Sequence, residues 1–412
     1  MTKVRLKEVS ELITKGTTPS SVGCEFVNEG INFIKSESIS DSKYLNNSIY
    51  EHIDDETDKK LKRSRIKEGD LLFSIAGAYL GKIAIVQARD VPANTNQAVG
   101  IVRLNRGKVD VDYVYYYFSQ TNINAYINNL SSQSSQPNLN LDLLGKLEFD
   151  CIELKDQQKI ASVLSSLDSK IELNNRINAE LEAMAKTLYD YWFVQFDFPD
   201  AKGKPYKSSG GKMVWNEELK REVPEGWDIE PLFKAMDVQY GFPFSTAKFT
   251  DEITEKPVIR IRDILENTIS TYTTEEVDDK YMLLKNDLLI GMDGNFHLNF
   301  WDKHGAYLNQ RSVRIRSRKE TEVSNLQAYF QLSPYIKARE KNVSRTTVGH
   351  LSDKDLKRLF LISPKKSDKF KPKELFDSIL SEITSNRLQN QKLSELRDWL
   401  LQMLMNGQVR VN

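Results

Sequence analysis

Arg345, Thr346, Thr347 and His350 fall within one short polar stretch, Asn342–His350 (NVSRTTVGH). A second such stretch, Ser131–Asn140 (SSQSSQPNLN), carries Ser134, Ser135, Gln136 and Asn138. Neither shows the apolar alternation of a strand or the spacing of a helix, so both read as loops. Their side chains share paired hydrogen-bonding capacity. An Arg fork matches the two acceptors of guanine, Asn or Gln matches the donor–acceptor edge of adenine, and Ser or Thr matches either. The same composition also suits a solvated surface loop. Each stretch, however, runs into a matching trio of leucines, Leu139, Leu144 and Leu147 in one case and Leu351, Leu356 and Leu359 in the other. Equivalent placement favours a shared task, and contact with base edges is the one their chemistry fits.

Further candidates come in the same paired fashion. Ser74-Ile75-Ala76-Gly77-Ala78-Tyr79 corresponds to Gly291-Met292-Asp293-Gly294-Asn295. A glycine there lets the backbone approach another surface closely or makes a bulge, which brings Ser74, Tyr79, Asp293 and Asn295 forward. Asn96-Gln97 corresponds to Asn309-Gln310, suited equally to adenine and to capping a turn. Arg311 follows directly and opens the basic run RSVRIRSRK. Lys35, Ser36 and Ser38 match the region of Arg260 and Arg262. These arginines alternate with Ile259 and Ile261, so they are expected on one polar strand face, either solvated or touching phosphate and guanine.

Catalytic patterns are missing from the sequence. It holds no Gly-rich Walker loop for nucleotide phosphates. It also lacks the Asn-Pro-Pro-aromatic or Asp-Pro-Pro-aromatic motif of a base-amino methyltransferase. His52, His297, His304 and His350 are scattered, and Cys24 and Cys151 fit no metal or disulfide framework. Asp150-Cys151-Ile152-Glu153-Leu154-Lys155 imitates the acidic-x-Lys core of a metal-dependent nuclease, but it leads straight into a helix and the second half has Ile362-Ser363-Pro364-Lys365 in its place. The 58 basic and 58 acidic side chains balance, which argues against coating nucleic acid by charge alone and leaves only local basic patches. No apolar run is long enough to span a bilayer, and the N-terminus is amphipathic rather than signal-like. A cytoplasmic protein without a membrane partner is the simplest expectation.

The elements that must hold these loops are also legible. Ile31–Glu37 faces Pro257–Asp263, Asp70-Leu71-Leu72 faces Asp287-Leu288-Leu289, and Phe118 faces Phe330, all in the same order as the pairs above. Ordered matches of this kind indicate an internal repeat. Each copy reads as an α/β domain of short strands plus a helix, with VDYVYYYFSQTNINAYINNL as the helix of the first. Each then feeds a long helix. Asp156–Phe196 carries apolar residues at Ile160, Leu164, Leu167 and Ile171, then at Ile177, Leu181, Met184, Leu188 and Tyr191, with no Gly or Pro. At 1.5 Å per residue it is about 60 Å long, too long for one core to cover. Its partner is the C-terminal stripe Leu375, Ile379, Ile383, Asn386, Asn390, Leu393, Leu396, Leu400 and Met403. Asn inside a seam sets register at some cost in stability. The Gly-, Pro- and Lys-rich stretch between the halves reads as an irregular linker that returns the chain, which suits antiparallel helices.

Together the first long helix (DQQKIASVLSSLDSKIELNNRINAELEAM), YDYWFVQFDFP, VPEGW at Val223–Trp227, the paired GDLLFSIAG and NDLLIGMDG, and the closing LRDWLLQMLMNGQV resemble the specificity subunit of type I restriction–modification systems. The likeness covers nearly the whole chain and is strongest in the helices and linker. It implies an α+β fold in which two pseudo-twofold-related α/β target recognition domains are joined by a long antiparallel two-helix coiled coil. The expected segments are a first recognition domain (1–150), a first spacer helix (151–196), a linker (197–225), a second recognition domain (226–366) and a second spacer helix (367–412). It further implies a non-catalytic prokaryotic subunit that reads an asymmetric bipartite duplex target, one domain per half-site. Two DNA adenine methyltransferase subunits dock on the coil and motor–nuclease subunits join them, with S-adenosylmethionine, ATP and Mg²⁺ on those partners only. Gly16-Thr17-Thr18-Pro19 resembles a family loop near DNA, which adds Thr17 and Thr18; Tyr240-Gly241-Phe242-Pro243 takes its place in the second half without the Thr pair. Tyr189, Tyr191, Trp192 and Phe193 are the expected docking anchor, although packing at the coil's end would also explain them. A coiled-coil adaptor that does not read DNA is the competing reading.

Overall fold

The computed structural model describes residues 2–131, 138–253, 256–294, 296–341, 349–365 and 369–411. The chain divides into two compact units, Met1–Lys170 with Leu393–Asn412, and Ile171–Lys392. Both mix strands and helices.

The strands of the first unit are β1 (Thr2–Arg5), β2 (Ser10–Lys15), β3 (Ile31–Ile34), β4 (Glu51–Ile53), β5 (Arg65–Ile66), β6 (Leu71–Ser74), β7 (Ile83–Ile85), β8 (Ala93–Thr95), β9 (Val99–Leu104) and β10 (Glu148–Cys151). They form the sheets β2-β9-β6-β7 and β4-β3-β8-β5 and the pair β1-β10. Side chains alternate across a strand, so Leu71 and Phe73 of β6 join a core with Tyr113, Phe118, Leu144 and Phe149. Leu72 enters another with Ile34, Val86 and Ile101. Both faces being covered explains why Leu71-Leu72-Phe73 is an unbroken apolar run. The aromatic run forms two helices, Val111–Ser119 and Thr121–Ser131, because Gln120 is extended (φ −61°, ψ 138°).

In the second unit the strands are β11 (Met213–Asn216), β12 (Arg221–Pro224), β13 (Asp228–Pro231), β14 (Met236–Tyr240), β15 (Phe249–Thr250), β16 (Pro257–Ile259), β17 (Thr271–Thr273), β18 (Leu288–Gly291), β19 (Leu298–Phe300), β20 (Tyr307–Leu308), β21 (Ser312–Ser317) and β22 (Phe360–Ser363). The sheet β14-β21-β18-β19 repeats the order of β2-β9-β6-β7, and the pair β13-β22 repeats β1-β10. Repetition extends to single residues. The buried Asp70 takes the Arg103 guanidinium at 2.8 and 2.7 Å, as the buried Asp287 takes Arg316 at 2.7 Å twice. Arg314 of the basic run is likewise internal, on Asp237 at 2.6 Å. That run is therefore partly neutralised within the sheet and is not an open cationic patch.

Residues 197–225 differ from an irregular linker. β11 and β12 make a hairpin with Met213 opposite Pro224, and Phe198 and Val223 enter the core beside Trp227. This apolar content anchors the segment despite its Gly and Pro.

The first long helix spans Leu154–Tyr189 and continues as a π-helical turn, Asp190–Val194, and the second spans Pro372–Met405. Within the first unit Arg397 reaches the buried Asp168 at 2.8 Å, which also accepts the Tyr116 hydroxyl at 2.5 Å. Within the second, Asn386 donates to Asn178 at 2.9 Å and Asn174 donates to Asn390 at 2.8 Å. One number rises as the other falls, so the paired segments of that unit run antiparallel.

Three of the four proposed docking aromatics belong to the interior. Phe193 is fully buried and Tyr189 nearly so. Tyr189 lies 5.6 Å from Phe193 and 5.1 Å from Phe330, and Trp192 lies edge-on to Phe370 at 5.0 Å. The π-helical turn rotates these rings onto the core of the second unit, and only Tyr191 is exposed. Among the described residues no helix is long and apolar enough to cross a membrane.

Candidate nucleic-acid interface

A parallel strand pair starts the site in each unit. β3 and β8 are in register with Ile34 opposite Thr95, so Lys35 and Asn96 leave the sheet side by side. β16 and β20 set Ile259 opposite Leu308 and release Arg260 and Asn309 in the same way. The carboxyl ends of such strands are where open sheets present loops to ligands.

Around that edge of the first unit three further loops gather. Gly16, at the end of β2, donates its N–H to the Val99 carbonyl at 3.1 Å. A Cβ at this position would collide with the carbonyls of Thr95 and Asn96, so only glycine lets the two backbones approach. Thr17 then donates to the Thr95 carbonyl at 2.9 Å, and the Thr18 hydroxyl hydrogen-bonds the Gln97 side chain. The Ile75 N–H donates to the Ala98 carbonyl at 2.8 Å and the Leu139 N–H to the Ile75 carbonyl at 2.9 Å, which sets Asn138 against Ala76. Thr18, Gln97, Ala98, Ala76 and Asn138 thus line one rim, with Gln97 and Asn138 exposed. Asn96 turns back to accept from the Ala98 N–H at 3.1 Å, the turn-capping role. Tyr79 is half-buried, with the Lys82 ammonium 5.6 Å from its ring centre and 3.0 Å from Asp41.

The second unit builds the same rim. A Cβ on Gly241 would strike the Asn309 carbonyl. Phe242 stands where Thr17 stands, donating to the Leu308 carbonyl at 2.8 Å, and its ring packs on Phe244 and Tyr281 instead of presenting a hydroxyl. Met292 donates to the Arg311 carbonyl at 2.8 Å, Leu351 donates to the Met292 carbonyl at 2.8 Å, and His350 lies against Asp293. Here the rim is charged. Asp293 accepts the Arg311 Nη1–H at 2.6 Å on one oxygen and meets His350 Nδ1 at 2.6 Å on the other. Partial burial pushes the Asp293 carboxyl up, but hydrogen bonds from His350 and Arg311 more than offset this and hold it below the usual carboxylate range. The corresponding residues of the first unit are Ala76, Ala98 and Asn138. Gln310 is exposed beside this cluster and Asn309 half-buried.

Several expected contacts do not reach the surface. Ser38 and Ser74 are completely buried and Ser36 is 7% exposed. Ser74 ends a strand covered on both faces, and the helical turn Ser36–Ser38 buries both of its serines. Arg260 and Arg262 share no strand face, because β16 stops at Ile259 where the Asp263 carboxylate accepts the Arg260 N–H at 3.0 Å and starts a helical turn. Arg260 folds back on Thr271 at 3.3 Å, Arg262 meets Ser270 at 3.3 Å, and Lys35 is paired with Glu51 at 2.6 Å. Ser134, Ser135, Gln136, Asn295, Arg345, Thr346 and Thr347 lie outside the described residues. Sequence reading placed Gly16 and Gly241 in turns but did not show the close backbone approach that a Cβ would block. The signal for the glycines was a Gly closing the second strand of each copy.

At the nuclease-like stretch, Asp150 lies in β10 and its carbonyl accepts the Tyr113 hydroxyl at 2.8 Å. Among the described residues no group of three or more His, Cys, Asp or Glu is arranged to hold a metal.

Two α/β units, each presenting an equivalent loop rim with different side chains, define a duplicated recognition scaffold. The family model for the type I restriction modification DNA specificity domain matches residues 1–183 and 225–397, and the chain belongs to that family. It is similar to the type I restriction enzyme MjaIX specificity subunit of Methanocaldococcus jannaschii, 26% identical over 427 residues and covering 99% of this chain and 93% of the relative. The HindI specificity subunit of Haemophilus influenzae is 22% identical over 408 residues, covering 84% and 88%. The type I restriction–modification S subunit from M. genitalium shares the fold, with a TM-score of 0.55, 16% identity, and 98% and 95% of the two chains covered.

Proposed function

We propose that this chain is the non-catalytic specificity subunit of a type I restriction–modification complex, reading an asymmetric two-part duplex target with one rim per half-site. The observation that carries this reading is that one backbone rim is built twice and furnished differently: Thr18, Gln97 and Asn138 in the first unit, Gln310, Arg311, Asp293 and His350 in the second. A common frame with unlike side chains is what two different half-sites require. The two long helices act as an antiparallel coiled coil that sets the gap between the half-sites, whose centres on the duplex lie about one helical turn, roughly 34 Å, apart. This coil docks two adenine methyltransferase subunits, and motor–nuclease subunits complete the assembly. The recognition domains are taken as residues 1–150 and 226–366.

Arg345 and Thr347, which lie outside the described residues, are base contacts in this proposal. Arg345→Ala with Thr347→Ala, assayed as the methylation motif of the complete complex, should relax one half-site only. Each lost base contact costs about 1–3 kcal/mol. Equal weakening of both halves would rule out modular reading. Methylation indifferent to both changes and to the target sequence would favour the adaptor.

A further inference from the structure

Arg311 combines three features that no other rim residue described above combines. It takes the left-handed backbone conformation, φ 69°, which strains any residue with a Cβ. Strain of this sort persists where the surroundings impose it, and it gathers at functional sites. Its carbonyl is fixed by the Met292 N–H at 2.8 Å, and the following Ser312 is fully buried, so the turn projects its side chain outward. The side chain is 62% exposed, yet its guanidinium is oriented, because Nη1 is tied to Asp293 at 2.6 Å. Asp293 is in turn steadied by His350 at 2.6 Å on its other oxygen.

An ordinary surface ion pair contributes little to stability and gives no reason for a strained backbone. A held fork, by contrast, has use as a reader. With Nη1 occupied, the Nε–Nη2 edge of Arg311 has no other partner among the described residues. Two parallel N–H donors in fixed geometry match the O6 and N7 acceptors of guanine in the major groove. Lysine lacks that planar fork, and adenine offers a donor where guanine offers O6. At the same place the first unit has Ala98, whose carbonyl accepts from Ile75 at 2.8 Å, with Ala76 where Asp293 stands.

We propose that Arg311 reads a guanine in the half-site of the second unit, with Asp293 as the positioning residue that aims it, and that the first unit has no counterpart at this position. The assignment rests on the DNA-reading role proposed above. The test uses the full chain with its adenine methyltransferase partner. The methylated motif is mapped, and each guanine in the half attributed to the second unit is replaced in turn by 7-deazaguanine, which lacks the N7 acceptor.

At one guanine this replacement should weaken binding by the wild-type complex about tenfold, and it should have no effect on Arg311→Ala. Arg311→Lys should lose that discrimination. Asp293→Asn should reduce it without changing the other half-site, which a merely structural role would not do. A second half-site without guanine overturns the assignment, and so does a 7-deazaguanine effect that persists undiminished in Arg311→Ala. A wild-type complex with no sequence preference is a distinct failure, because it removes the DNA-reading role itself and this assignment with it.

Discussion

Asp302 is 5% exposed and one of its oxygens has no hydrogen-bond partner among the described residues. Burial pushes its carboxyl up from the ordinary 3.8 to about 6, with Arg387, Lys303 and Lys285 pulling the other way. Below about pH 4 folded and unfolded chains both hold the proton and the group costs nothing. As pH rises through 6 the folded chain must ionise a buried carboxyl that the unfolded chain ionises freely, so stability is lost across that window. Asp302→Asn should therefore stabilise the protein by about 1–3 kcal/mol at pH 7.5 and by almost nothing at pH 4. Urea unfolding at the two pH values measures this, and an equal effect at both would contradict it. Nothing in the local sequence FWDKH distinguishes this aspartate from a surface one. Its burial and two of its three cations, Arg387 and Lys285, come from segments distant in the chain. The same holds for Ser38 and Ser74, whose residue type suited base contact and whose burial forbids it.

At the scale of elements, the long helices were read from spacing, and their asparagines do meet. Asn178 and Asn386 are 7% and 8% exposed, with Asn386 Nδ2 donating to Asn178 Oδ1 at 2.9 Å and Asn178 Nδ2 donating to the Ile383 carbonyl at 3.3 Å. Asn386→Leu alone strands the Asn178 carbonyl and should cost about 1–3 kcal/mol. Asn178→Leu with Asn386→Leu removes both polar partners and should recover most or all of that loss, at the expense of register. Thermal melts of the three variants test the pair. A double variant less stable than the sum of the singles would show that the asparagines do more than pair with each other. Strand cores were equally legible, since β6 and β18 are apolar runs bounded by Asp and Gly. The break at Gln120 and the end of β16 at Ile259 were not. A continuous helical pattern hides one extended residue, and alternation in Ile259–Arg262 persists even though Asp263 caps the chain into a turn.

At the scale of the whole molecule, each unit has its own core. Replacing residues 1–149 by the matching segment of another family member should therefore change one half of the methylated motif and leave the other intact. The replacement must keep the apolar surface that meets Ile160, Leu164, Leu401 and Leu404 of the first unit. Sequencing of methylated adenines with each version reads the result. A change in both halves would show that the units do not read independently.

Sequence alone determined the duplication, the long amphipathic helices and the family. These rest on periodicity and ordered motifs, which are properties of the chain taken in order. Only the tertiary structure decided which polar residues share a rim. It brought Thr18 to Gln97 and Asp293 to both Arg311 and His350, and it turned Tyr189 and Phe193 inward. Burial and pairing depend on neighbours supplied by remote segments, and a residue's own type carries no record of them.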